Sequence, residues 1–146
     1  MADIPASYYD ATRASESSGN DAVGNPRSSA FGRYQFTTGT WNDLRRRHPE
    51  LNLTENGRRD PAQQERANRV FTQENESYLR RNNIDISGGS LYAAHFFGSG
   101  SVPLVWNAPD STLVSTLLPP SYISANPFLA GMTAGQFRAW AAEKGG

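Results

Sequence analysis

The sequence contains no cysteine, which excludes disulfides, thiolate catalysis and zinc–thiolate sites. That absence does not locate the protein, since many periplasmic proteins also manage without disulfides. No stretch approaches the roughly 18 apolar residues of a membrane span, so no spanning helix is expected. Net charge is absent too: 14 Lys plus Arg oppose 14 Asp plus Glu, leaving no strong field to recruit nucleic acid or a membrane surface. Lysine is nearly missing, because 13 of the 14 cations are Arg, bunched at Arg45-Arg46-Arg47, Arg58-Arg59 and Arg80-Arg81. Solvated helix faces explain such clusters, and weak attraction to an anionic polymer such as cell-wall glycan is the alternative. The opening MADIPASYYD has neither a basic head nor an apolar h-region, so no signal peptide is expected in this chain. Export by a route without a signal, and removal of a signal from a longer chain, both stay open. Strand signals, internal repeats and low-complexity linkers are likewise scarce or missing.

What is present is helix. At 146 residues the chain suits one domain, 1–146, with one hydrophobic core, and the class expected is all-α. A first helix is predicted over about Ala6 to Glu16, entered after Pro5 and closed by Gly19-Asn20. Residues 20–36 read as loop, and a second helix starts near 38–40 and stops before Pro49. Asp60-Pro61-Ala62-Gln63 is a helix start, with Asp as cap, Pro in the first position and Gln reaching back. That helix should run to about Arg81 and bury Ala67, Val70, Phe71, Tyr78 and Leu79. LYAAHFF, after Ser90, reads as the central core helix. Shorter helices are expected over 101–107, 111–118 and 120–126. Thr133-x-x-Gln136 is a capping box opening a last helix to about Lys144.

The segment with chemical promise is ASESSGNDAVGNPRSSAFGRYQF, from Ala14 to Phe36. Glu16 is placed at the C-terminal end of an amphipathic helix, where the negative end of the helix dipole disfavours ionisation. Tyr34 and Phe36 are near in sequence and would desolvate it, and both effects raise a carboxyl pKa. A carboxylic acid kept protonated near neutral pH is what glycosidic cleavage requires, to protonate the leaving oxygen. A solvated surface Glu has the same local sequence, so spacing alone does not decide.

SESSGN followed by NPRSSAFGRYQFTTGTW resembles the Glu-Ser and Gly-x-x-Gln motifs of the lysozyme-like lytic transglycosylases. The Gly-Arg-Tyr-Gln spelling is also similar to phage lambda-type endolysins. The resemblance covers about residues 8 to 140 and implies a lysozyme-like all-α domain with a loop-rich active-site segment. Carried over by position, it makes Glu16 the single catalytic acid and base, and Ser17 the neighbour that orients it. Gly32 then allows close approach of the chain, Tyr34 belongs to the same substrate-binding turn, and Gln35 hydrogen-bonds sugar. The family's Ala-Tyr-Asn-x-Gly element aligns with Ala94-His95-Phe96-Phe97-Gly98, where His95 replaces Tyr and Phe96 replaces Asn. Ala-His-Phe-Leu-Gly spellings occur among phage-associated members. Two roles stay open for His95: a structural ring bonded to a backbone carbonyl, or a lining residue of the cleft. Tyr122 is matched to a late family Tyr.

The activity implied is cleavage of the β-1,4 bond between N-acetylmuramic acid and N-acetylglucosamine, giving 1,6-anhydromuramyl products without metal or cofactor. The implied partner is the peptidoglycan glycan strand, met at the cell wall, in the periplasm or from a virion, by a monomer. A hydrolytic muramidase is the nearest alternative and needs a second carboxylate within roughly 5–9.5 Å of the first. Asp21 and Glu74 are the candidates, although Asp21 suits a turn and Glu74 suits an edge ion pair with an Arg. An inactive glycan-binding assembly protein of the same fold is the alternative from another class.

Overall fold

The computed structural model describes residue 4, residues 6–17, residue 32 and residues 34–146. Among these the protein is all-α. The helices are α1 (Ala6–Ser17), α2 (Thr38–Arg47), α3 (Pro61–Arg81), α4 (Gly88–Phe97), α5 (Val102–Trp106), α6 (Pro120–Ala125) and α7 (Ala134–Gly145). Short 3-10 turns and an isolated antiparallel bridge, Leu113 to Thr133, supplement them. None of these helices is long and apolar enough to cross a membrane.

The helix starts follow from capping chemistry. Thr37 accepts from the Thr40 amide at the head of α2. Asp60 accepts from the Ala62 amide with Pro61 in the first turn of α3, and Gln63 Nε2 reaches back to Asp60 Oδ2 at 3.2 Å. Ser87 with Ser90, and Thr133 with Gln136, form reciprocal capping boxes at α4 and α7. Each such box satisfies two amides that a bare helix end would leave orphaned.

The most apolar of the longer helices, α4, is the centre. It packs along α7 and against α3, burying Leu91, Tyr92, Ala93, Ala94 and Phe97. The buried apolar residues fall into two clusters. The larger is built on α1, the end of α3, α4, α5 and α7, with Tyr8, Leu79, Ala94, Val105 and Phe137 among its members. The smaller gathers Tyr34, Phe36, Trp41, Leu44 and Ala67, with Leu53 and Phe71 against them. Trp41 anchors the smaller cluster through its indole N–H, which donates to the Thr54 carbonyl at 2.8 Å. The Arg triplet of α2 lies on the outside, where Arg46 and Arg47 pair with Asp43, and Arg47 also bridges to Glu74 on α3.

Two expectations are corrected. The segment 111–118 is not a helix; it holds only a 3-10 turn at Val114–Thr116. Leu113 is extended, the Val114 amide donates to the Met132 carbonyl and the Ala134 amide to the Thr112 carbonyl. These long-range bonds use the groups that a helix would have needed for itself. On α3, Ala67 and Leu79 are buried as expected, but Val70, Phe71 and Tyr78 are half-buried. The rest of the buried face is polar: Gln64, Asn68, Thr72, Asn75 and Glu76. Those residues recur at helical spacing, so the face exists, but its chemistry is mixed.

Candidate active site

The cleft lies at the seam of the two clusters. It encloses about 360 Å³, with Phe36 and Phe71 from the smaller cluster facing Phe96, Phe97 and Tyr122 from the larger. Gln35 and His95 line the same cleft. Three residues far apart in sequence, Gln35, His95 and Tyr122, are thus brought to one concavity. Tyr122 stacks on Phe97, ring centroids 6.3 Å apart, which sets its ring as part of the wall.

Gln35 sits on a turn whose geometry is unusual. Its φ is +55, left-handed for a residue with a side chain. The turn closes by Gln35 N–H to the Gly32 carbonyl at 3.2 Å, and the Gln35 side-chain amide donates to the same carbonyl at 2.8 Å. Two residues near the start of α3 hold the turn from behind. Buried Gln64 accepts from the Tyr34 amide at 3.0 Å and donates to the Arg58 carbonyl at 2.7 Å. Arg58 in turn donates to the Phe36 carbonyl at 2.8 Å. Strained backbone held by surrounding structure is characteristic of functional sites.

Gly32 explains why that clamp can form. Its φ is +87, and a Cβ there would stand 2.2 Å from Gln64 Nε2 and 2.4 Å from the Arg58 carbonyl oxygen. The close approach at Gly32 is therefore to the protein's own chain. Gly32→Ala should destabilise by roughly 2–5 kcal/mol, from left-handed strain of about 1–2 and overpacking of about 1–3. Gly131→Ala provides the control, because Gly131 shares a positive φ of 85 but has open space around it. Urea unfolding of both should show the larger loss at Gly32. Equal losses would mean that the Gln64 clamp yields without cost.

Glu16 occupies the last turn of α1, with Tyr8 and Thr12 on the same face at intervals of four. Its side chain is 13% exposed, and Oε1 stands 4.0 Å from His95 Nε2. Tyr92, buried on α4, is the polar neighbour of the carboxyl group on that side. Burial pushes the Glu16 pKa up; the charges of His95 and Lys144 and the Tyr92 hydrogen bond oppose it without cancelling it. Tyr92 is itself pushed up, by burial first and by the neighbouring Glu16. Glu16 is not among the described residues that line the cleft. It reaches the cleft wall through His95.

His95 combines both of the roles left open by its sequence. Its Nε2–H donates to the Tyr34 carbonyl at 2.6 Å, which fixes a proton on Nε2. The ring also lines the cleft, although its side chain is only 4% exposed. Tyr34 contributes in a different way from a sugar-binding ring. That ring is buried in the smaller cluster, its hydroxyl donates to Glu65 at 2.9 Å, and its carbonyl serves His95. The Ser17 side chain and Asp21 lie outside the described residues.

Glu74 stands apart. It bonds Arg47 at 2.5 and 3.1 Å and His48 at 3.3 Å, and it lines a separate groove with Gln73, Ser77 and Arg81. The Arg47 hydrogen bond holds its carboxyl below the usual range. That is the environment of a structural ion pair, not of a proton donor.

Sequence reasoning missed Tyr92 and Gln64 as site residues. Tyr92 is legible only as apolar core, yet its spacing of three before His95 puts both on one helix face. Gln64 carries no signal beyond its place one turn into α3. Among the described residues no group of three or more His, Asp or Glu is arranged to hold a metal ion. No protein-family model matches the chain, and no curated protein is significantly similar to it.

Proposed function

We propose that this protein is a lysozyme-like lytic transglycosylase that cleaves peptidoglycan between N-acetylmuramic acid and N-acetylglucosamine. The observation that carries the reading is Glu16: a nearly buried carboxyl group with a raised pKa, beside a wall residue of the cleft that also holds Gln35 and Tyr122. The motif order in the sequence, Glu-Ser, then Gly-x-x-Gln, then Ala-His-Phe-Phe-Gly, supports the same reading.

In this mechanism Glu16 enters protonated and gives its proton to the bridging oxygen. The muramyl acetamido oxygen stabilises the sugar cation from within the substrate, so no second enzyme carboxylate is needed. Glu16, now ionised, takes the proton of the muramyl C6 hydroxyl as that oxygen closes on C1 to form the 1,6-anhydro ring. The proton count balances, and Glu16 ends as it began. Because nucleophile and electrophile belong to one sugar, holding the geometry replaces recruitment of water. Tyr92 is the polar neighbour of the carboxyl group, and the aromatic walls limit solvent. The place of action in this reading is the cell wall, reached from the periplasm or a virion.

Loss of turbidity of purified peptidoglycan on addition of the protein tests the proposal directly. A protein that binds the sacculi and leaves turbidity unchanged would instead be the inactive glycan binder. Gln35 provides a finer test. Gln35→Gly removes the side chain at a position whose φ of +55 suits glycine, so the fold should hold or gain stability. A contact made equally with bound substrate and transition state is lost as a higher KM with kcat unchanged. Wild-type values of both constants would take Gln35 out of the site.

A further inference from the structure

One peptide unit connects Gln35 to His95. The carbonyl of Tyr34 and the N–H of Gln35 belong to the same planar amide. Its oxygen accepts from His95 Nε2 at 2.6 Å, and its N–H donates to the Gly32 carbonyl at 3.2 Å. The plane is thereby held at both ends, in the orientation that gives Gln35 its left-handed φ of +55. A flipped peptide would lose both bonds and would turn an oxygen toward the Gly32 carbonyl. The same His95 nitrogen is the atom that stands 4.0 Å from Glu16 Oε1.

The imidazole is itself firmly fixed. Rings of Tyr34, Phe36, Phe71 and Tyr92 surround it, with centroids 5.7–6.5 Å away. Three of these, Tyr34, Phe36 and Phe71, come from the smaller cluster, and Tyr92 comes from the larger. The ring therefore spans the seam on which the cleft is built.

We propose that His95 is a positioning residue: its Nε2–H locks the Tyr34–Gln35 peptide and keeps Gln35 on the cleft wall, while the same ring stands beside the Glu16 carboxyl group. The catalytic consequence rests on the transglycosylase reading above; the locking of the peptide does not. Glutamine at position 95 extends an amide N–H to about the place of Nε2, whereas phenylalanine keeps the ring volume and has no donor.

The test compares wild type, His95→Phe, His95→Gln and Gln35→Ala by two measurements. The first is hydrogen exchange at the Gln35 amide by NMR, which needs no activity. His95→Phe should speed it at least tenfold relative to amides of α7, and His95→Gln should restore most of the protection. The second is KM for purified peptidoglycan. His95→Phe should raise KM as Gln35→Ala does, and the double variant should be no worse than either alone, since both remove one contact. Unchanged exchange at Gln35 in His95→Phe overturns the proposal. So does an additive double variant with His95→Gln as impaired as His95→Phe. If wild type does not clear peptidoglycan, the transglycosylase reading fails while the exchange measurement still decides the role of His95. If His95→Phe does not fold, His95→Gln must still show near-wild-type exchange at Gln35, and faster exchange there overturns the proposal.

Discussion

Glu16→Gln is expected to lower turnover on peptidoglycan by about 10²–10⁴-fold, the usual worth of a general acid, without unfolding the protein. Gln is nearly isosteric and can still meet the Tyr92 hydroxyl, but it cannot deliver a proton. Its effect on stability has a defined sign. Burial raises the Glu16 pKa in the folded protein above its unfolded value. A group shifted in that direction contributes stability that is full below the unfolded pKa and is lost as pH rises through the folded pKa. Wild type therefore carries an ionised, nearly buried carboxylate at high pH that the variant lacks. The Tm of Glu16→Gln should match or exceed wild type at neutral pH and above. That excess should shrink as pH falls into the ordinary carboxyl range. Turnover above about a tenth of wild type would remove Glu16 as the acid. A Tm difference that ignores pH would mean that Glu16 is not desolvated in solution.

The part of this site that was legible in the sequence is the part written locally. Helix starts at Asp60-Pro61 and Thr133-x-x-Gln136 depend on side chains bonding to their own first turn, so three or four residues suffice to read them. The helix expected over about Ala6 to Glu16 agrees with α1 as Ala6–Ser17, whereas the Gly19-Asn20 cap read for its end lies outside the described residues. Val114 shows the opposite case. Its amide pairs with Met132, eighteen residues away, and no local pattern records that bond. Likewise, Val70, Phe71 and Tyr78 have the right period for a buried stripe, but Phe71 and Val70 flank two different grooves. The fully buried positions went to Asn68, Thr72 and Asn75, which hydropathy alone assigns to solvent. Tyr92 and Gln64 were illegible as site residues because their roles consist of contacts to Glu16 and to the Gly32 turn. Those contacts span 76 and 32 residues (Tyr92 to Glu16, Gln64 to Gly32), and only the packed fold brings them together.

Digestion of peptidoglycan by this protein is expected to yield muropeptides one water lighter than lysozyme products, because the ring-closing oxygen is the substrate's own. Two observations favour that outcome over hydrolysis. A hydrolase must position its water with a second carboxylate roughly 5–9.5 Å from the first. Glu74 is unsuited to that role, because Arg47 and His48 engage it and it lines a different groove from Gln35, His95 and Tyr122. Among the described residues, the polar side chains lining the cleft are Gln35, Thr37, Thr40, His95 and Tyr122, and none is a carboxylate. Under the proposed mechanism, with Glu16 as the single acid, the C6 hydroxyl is the nucleophile, and its attachment to the reacting sugar gives it a large effective concentration. Digestion in ¹⁸O-labelled water should therefore leave the label out of every new muramyl end, as read by mass spectrometry. Labelled reducing ends would reject the transglycosylase mechanism and leave Glu16 as the acid of a muramidase. Asp21, outside the described residues, would then be the carboxylate to replace first, with Asp21→Asn expected to abolish label uptake and turnover together.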